Sequence, residues 1–166
     1  MVRHILFCLF AVFLAALPPA PSSTAAARYD SYAIVQENGS LRVSGRTLWL
    51  YGINIPPTYE TCLTYIEPVR CGPKAILELD RKIGPHFVHC DAISENEDGS
   101  INALCLVEGE DLSAWMLREG WAEALPDAPA QYHRLERMAR ESHVGIWSIL
   151  PPGDVIIQRP RGRPVK

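Results

Sequence analysis

The chain is short of long apolar runs. Only Ile5 to Leu17, 13 residues, is continuously apolar, and a membrane span takes roughly 20. The remainder therefore has no transmembrane segment. Metal-ligand spacing is missing as well. There is no C-x-x-C pair and no His-x-x-x-His, and His86, His89, His133 and His143 form no ligand pattern, which argues against zinc. The body is also poor in positive charge. From Arg28 to Gln158 there are 11 Lys/Arg against 19 Asp/Glu, a net charge of −8. Nucleic-acid affinity comes largely from neutralising phosphates, so this body is a poor general platform for a polyanion.

Residues 1–27 have the layout of an export signal. Arg3 and His4 form a short basic start, the apolar run follows, and small residues end in Ala25-Ala26-Ala27, an A-x-A cleavage pattern. The expected location is periplasmic or secreted. Residues 28–150 suit one domain. Residues 151–166 turn to Pro, Gly and Arg and read as an extended basic tail. Four cysteines remain after cleavage, namely Cys62, Cys71, Cys90 and Cys105. An even count in an exported domain suggests two disulfides, with three connectivities open. Local geometry favours Cys62–Cys71 and Cys90–Cys105. The second pair sits symmetrically about a turn near Glu97-Asp98, so its members face each other across a hairpin.

Ser31 to Gln36 and Ser40 to Val43 read as strands around a Glu37-Asn38-Gly39 turn. Thr47 to Ile53 is a third strand, apolar on both faces. A loop rich in proline leads to a helix opened by Pro73 and closed by Gly84-Pro85. His86 to Ile93 and Ile101 to Val107 are the next strands. Asp111 is expected to cap a short helix, and Asp127 a last helix with Tyr132, Leu135 and Met138 inward. The order is βββ-α-ββ-α-α, an α+β protein with a small barrel or sheet and about three helices.

The segment Arg46 to Pro57, RTLWLYGINIPP, resembles the R-V-R-L-Y-G-I-D-A-P-E strand of the staphylococcal-nuclease-like (thermonuclease) family. The resemblance runs from about Ala33 to Trp147. Cys71-Gly72 resembles the C-G-x-x-A pattern of exported bacterial members. Gly109-Glu110-Asp111-Leu112 with Gly120, and the closing Gly145-Ile146-Trp147, resemble further family segments. It implies a five-stranded OB-fold barrel and a Ca²⁺-dependent phosphodiesterase.

The same resemblance places substituted residues at each functional position that aligns. Gly39 and Asn54 stand where aspartates hold Ca²⁺. Trp49 and Ser100 stand where two arginines bind phosphate, and Pro57 stands where a glutamate activates water. Ca²⁺ takes six to eight oxygen ligands, several of them carboxylates. A general base must accept a proton, and proline cannot. Losing one such group costs about 10²–10⁴-fold in rate. No catalytic residue, metal ligand or cofactor is therefore expected, and Ca²⁺ enters only if hydrolysis survives. Arg46 lies three residues before Trp49, which strand alternation puts on the opposite face.

The expected function is that of a binding or structural module for a protein or for a polymer such as a glycan or nucleic acid. Trp49 and Tyr51 are the candidate ligand face, because an aromatic in place of an arginine suits stacking on a sugar or base. The enzymatic alternative is a weak or altered phosphodiesterase. A third reading comes from Arg159, Arg161, Arg163 and Lys166. They match the P-R-G-R-P pattern of an AT-hook, which lies in a narrow A·T minor groove.

Overall fold

The computed structural model describes residues 26–62 and 69–148. Most of the expected export signal and the whole basic tail, with Arg159, Arg161, Arg163 and Lys166, lie outside the described residues.

The fold is α+β, a nearly closed barrel-like sheet with three helices. The elements in chain order are β1 (Arg28–Ser31), β2 (Ala33–Val35), β3 (Leu41–Val43), β4 (Arg46–Leu50), β5 (Ile53–Asn54), α1 (Cys71–Ile83), β6 (Val88–Glu95), β7 (Ile101–Val107), β8 (Glu110–Asp111), α2 (Leu112–Arg118), β9 (Glu123–Ala124), α3 (Ala130–Glu141) and a 3₁₀ turn over Gly145–Ser148. The main sheet has seven strands in the order β1-β6-β7-β4-β3-β2, with β8 added beside β7, while β5 and β9 form a separate pair. The sequence led us to expect five strands. The first expected strand divides at Tyr32: β1 pairs with β6 and β2 with β3. The third stops at Leu50, because Tyr51-Gly52 turns at a positive Gly52 φ of 72°.

Closure follows from that division. The two ends of the strand order, β1 and β2, are neighbours in sequence, so one residue joins the sheet to itself. β4 and β7 run parallel, with Leu48 opposite Ile101 and Trp49 opposite Asn102. Alternation then sorts the side chains. Ile101, Ala103, Cys105 and Val107 point into the core with Leu41, Val43, Leu48 and Leu50. Ser94 follows a bulge at Ile93, which re-aims the end of β6.

Both expected disulfides are present. Cys90 and Cys105 are direct cross-strand partners with Cα atoms 4.0 Å apart, and Cys62 and Cys71 are 5.7 Å apart. Each contributes roughly 2–4 kcal/mol, mainly by restricting the unfolded chain.

The helices are held to the barrel by close contacts. Helix α1 ends at Gly84, whose N–H donates to the Asp80 carbonyl. Its Gly72 lies so close to Pro57 that a Cβ there would drive into the Pro57 carbonyl oxygen. Asp111 caps α2 as expected, accepting from the Ser113 N–H at 2.9 Å. Its other oxygen accepts from the Tyr132 hydroxyl at 2.6 Å, tying α3 to the same corner. Two expectations for α3 are corrected. Asp127 does not cap it; the N-cap is Pro129 without a side-chain bond, because Asp127 lies in a turn two residues earlier. Met138 is 59% exposed, and Ala139 takes the inward position. The inward stripe therefore runs through Tyr132, Leu135 and Ala139, at spacings of three and four residues. Among the described residues no helix is long and apolar enough to cross a membrane.

Two measurements check this packing. Gly72→Ala is expected to cost about 1–3 kcal/mol in urea unfolding, because the contact is backbone and has little room to yield. Tyr132→Phe is expected to cost about 0.5–1.5 kcal/mol at pH 7. The Tyr132 phenol is held well above its ordinary pKa of 10.0 by burial and by the Asp111 carboxylate. Above pH 10 the unfolded chain releases a proton that the folded chain keeps, so wild-type stability falls as pH rises. The gap between wild type and Tyr132→Phe should narrow there, and denaturation midpoints from pH 7 to 11 will report it.

Candidate functional site

The β6–β7 turn and the β2–β3 turn are built alike. Glu97-Asp98-Gly99-Ser100 and Glu37-Asn38-Gly39-Ser40 each place glycine at a positive φ, 77° and 86°. In each, the Asx side chain accepts from the serine two residues on. Asp98 Oδ1 takes the Ser100 N–H at 2.9 Å and its hydroxyl at 2.6 Å. Asn38 Oδ1 takes the Ser40 N–H at 3.0 Å and its hydroxyl at 2.7 Å. Asp98 is fully exposed, and these bonds from Ser100 hold its carboxyl below the usual carboxylate range.

Trp49 and Ser100 come together through the parallel pairing of β4 with β7. The Trp49 indole N–H donates to Ser100 Oγ at 3.2 Å. Ser100 Oγ also receives the Asn96 amide at 2.8 Å, and the Asn102 amide donates to Asn96 and to Ser94 at 2.9 and 3.0 Å. Both positions that the resemblance assigns to phosphate-binding arginines thus belong to one hydrogen-bond network on the outer face of the sheet, which ends on the Asp98 carboxylate.

Gly39, Asn54 and Pro57 form a second grouping. Gly39 is buried, and a Cβ there would lie 3.1 Å from the Ile55 Cβ. The Thr58 N–H donates to the Glu37 carbonyl at 2.8 Å, so this turn and the segment after β5 run side by side. Asn54 is half-buried and pairs with Glu123 in the small sheet. Pro57 is buried, and its carbonyl accepts from the Glu60 N–H at 2.9 Å. Among the described residues no three His, Cys, Asp or Glu side chains gather as a metal set. Tyr51 sits in the turn after β4, with its carbonyl accepting from the Ser113 hydroxyl at 2.9 Å.

A surface depression of about 260 Å³ lies next to the Trp49–Ser100 bond, lined by Gly45, Arg46, Thr47, Asp98, Gly99 and Ser100. Arg46 is here contrary to the alternation argument. It is the first residue of β4, beside the Ser44-Gly45 turn, where both φ angles are positive, at 49° and 77°. From the end of the strand its long side chain reaches across to the β6–β7 turn. One Nη donates to the Gly99 carbonyl at 3.3 Å and to Glu95 at 3.2 Å. The sequence signal for this depression was the nearness of Arg46 to a Gly-containing turn, which alternation alone overrode. The remaining tryptophans pack elsewhere: Lys82 stands over Trp115, Trp121 lies against the core, and Arg140 covers the buried Trp147 at 3.7 Å. His89 bonds Asp30 at 2.8 Å on an exposed strand.

Asp98→Asn gives a direct check on the turn. A carboxyl held below its ordinary pKa stabilises the fold above that pKa, and the benefit is lost as pH falls through the folded value. The wild type should therefore lose stability on acidification below about pH 4 more steeply than Asp98→Asn. Urea titrations between pH 2.5 and 7 will show whether the two curves converge.

Compared with known proteins, the chain matches no family model and no curated relative.

Proposed function

We propose that the chain is an exported OB-type barrel of the thermonuclease-like kind that has lost hydrolysis and acts as a binding module. The observation that carries this reading is the 3.2 Å bond between Trp49 and Ser100. Where the resemblance calls for two guanidinium groups, the two side chains present satisfy each other and offer no positive charge to a phosphorane. The barrel supports the same reading. Taking β1 and β2 as one bent strand leaves a nearly closed sheet with one parallel contact, which is compatible with a partly open Greek-key barrel. Pro57 adds a geometric argument. Its carbonyl is packed on Gly72 and bonded by Glu60, so the segment serves as a seat for α1. Export is supported by the two disulfides, which persist in oxidising compartments.

One observation favours an enzymatic reading instead. Arg46 lines the depression with Ser100 and brings a guanidinium near one of the positions that the resemblance assigns to arginine. Against it, Glu95 stands 3.2 Å away and offsets the charge.

The two readings part on one experiment. Purified mature protein is incubated with single-stranded DNA, with Ca²⁺ and with a chelator, and its melting temperature is followed in both. The binding-module reading expects no cleavage above the buffer blank and no rise in Tm with Ca²⁺. Chelator-sensitive cleavage that is lost in Arg46→Ala would establish a relocated phosphodiesterase and defeat the proposal.

A further inference from the structure

We propose that Asn38 is a site of covalent self-modification: its side-chain amide converts to a carboxylate through the Gly39 backbone nitrogen, and the folded β2–β3 turn holds that conversion in check. The chain has four asparagines, and only Asn38 is followed by glycine. Asn54, Asn96 and Asn102 precede Ile55, Glu97 and Ala103. Glycine has no side chain to obstruct an attack by its own nitrogen, and the tether between the two groups makes the encounter intramolecular. In the reaction the Gly39 nitrogen gives up its proton and bonds to Asn38 Cγ. The Cγ–Nδ2 bond breaks, ammonia leaves with that proton, and a five-membered imide closes. Water then opens the ring. Addition at Cγ restores the backbone with aspartate at 38. Addition at the main-chain carbonyl leaves the chain running through the side chain, as iso-aspartate. One water enters and one ammonia leaves, with no oxidant or reductant.

In the folded turn both partners of that attack are occupied. The Gly39 N–H donates to the Gln36 carbonyl at 2.9 Å, and Gly39 is buried against Ile55, away from a base in solvent. Asn38 Oδ1 accepts from the Ser40 N–H at 3.0 Å and from its hydroxyl at 2.7 Å. Closing the ring requires the Gly39 peptide to rotate about the Asn38 Cα–C bond until its nitrogen meets Cγ. That rotation takes the N–H off Gln36 and strains the bonds to Ser40, which is buried and would be left unsatisfied. The leaving group has no such restraint. Asn38 is exposed, and its Nδ2 makes no hydrogen bond to a described residue. Opening of the hairpin, alone or with the whole fold, therefore controls the rate. The β6–β7 turn shows how the fold receives the aspartate product. There Asp98 stands in the corresponding place and makes the same two bonds to Ser100, at 2.9 and 2.6 Å. An aspartate at 38 takes the same geometry with charge-assisted bonds. The iso-aspartyl link is one backbone carbon longer and displaces Gly39, which has no spare room beside Ile55.

The test uses purified mature protein with its disulfides intact, held at pH 8 and 37 °C in buffer and in guanidinium chloride above the unfolding midpoint. Trypsin releases Tyr29–Arg42, which contains no other asparagine. Mass spectrometry then follows the amide-to-acid exchange, with fragment ions placing it at Asn38 and chromatography separating aspartate from iso-aspartate. In guanidinium Asn38 should convert faster than Asn54, Asn96 and Asn102. In buffer it should convert about tenfold or more slowly than in guanidinium, as befits turn hydrogen bonds that must break first. Ser40→Ala removes one bond to Oδ1, so it should raise the rate in buffer and leave the rate in guanidinium nearly unchanged. Asn38→Asp should melt within a few degrees of wild type. Three results overturn the proposal: equal rates in the two solvents, conversion of Asn38 no faster than that of the other asparagines in guanidinium, or a melting temperature of Asn38→Asp far below that of wild type.

Discussion

The parallel ladder between β4 and β7 joins what comes before helix α1 to what comes after it. Leu48 opposite Ile101 and Leu50 opposite Ala103 lock the register from inside the core. A slip of one residue would turn every inward side chain to the surface, so the register is strongly fixed. Its outward consequence is that Trp49 meets Asn102 and Ser100, and that the β3–β4 turn stands beside the β6–β7 turn. The hydrogen-bond network and the depression both result from that one alignment. The Cys90–Cys105 bond reinforces it from the next strand pair, since β6 and β7 cannot shift while the bridge is intact.

The candidate site is a polar network centred on Ser100. Ser100 is buried at 5% exposure, yet its hydroxyl is bonded by Trp49 and Asn96 and donates to Asp98. A buried hydroxyl with such partners costs little. An arginine at either Trp49 or Ser100 would have to displace this network, and two would repel each other without an anion between them. The present pair satisfies its hydrogen bonds from within the sheet. The same economy applies at Pro57. Its rigid backbone and the absence of a side chain at Gly72 allow α1 to approach closely.

The two turns show how similar local chemistry acquires different surroundings. Asn38 and Asp98 make the same pair of bonds to the serine two residues on. Gly39 is then pressed against Ile55, whereas Gly99 faces open space. One turn is packed under the segment after β5, and the other is left as the rim of a depression. Nothing in Glu-Asx-Gly-Ser separates these outcomes, because they depend on what the remainder of the chain lays over each turn.

Hydrophobic alternation over Ile101 to Val107, the Asx-Gly turns, the glycine stop at Gly84 and the Asp111 cap were legible in the sequence because each rests on neighbours within a few residues. The cysteine pairing was legible for the same reason, being set by symmetry about one turn. The division of the first strand at Tyr32, the exposure of Met138 and the start of α3 at Pro129 were not. They depend on which neighbour each segment finds across the barrel. Arg46 makes the point for the site: alternation fixes where a Cβ points, but a long side chain at a strand's end goes where the distant Gly99 carbonyl and Glu95 carboxylate receive it. The sequence by itself determined most of the helices and principal strands, the cysteine pairing and the absence of a charged side chain at Trp49, Asn54 and Pro57. Only the tertiary structure decided that Trp49 and Ser100 would bond and that Arg46 and Asp98 would share a depression, because residues about 50 apart in the chain meet only when the sheet closes.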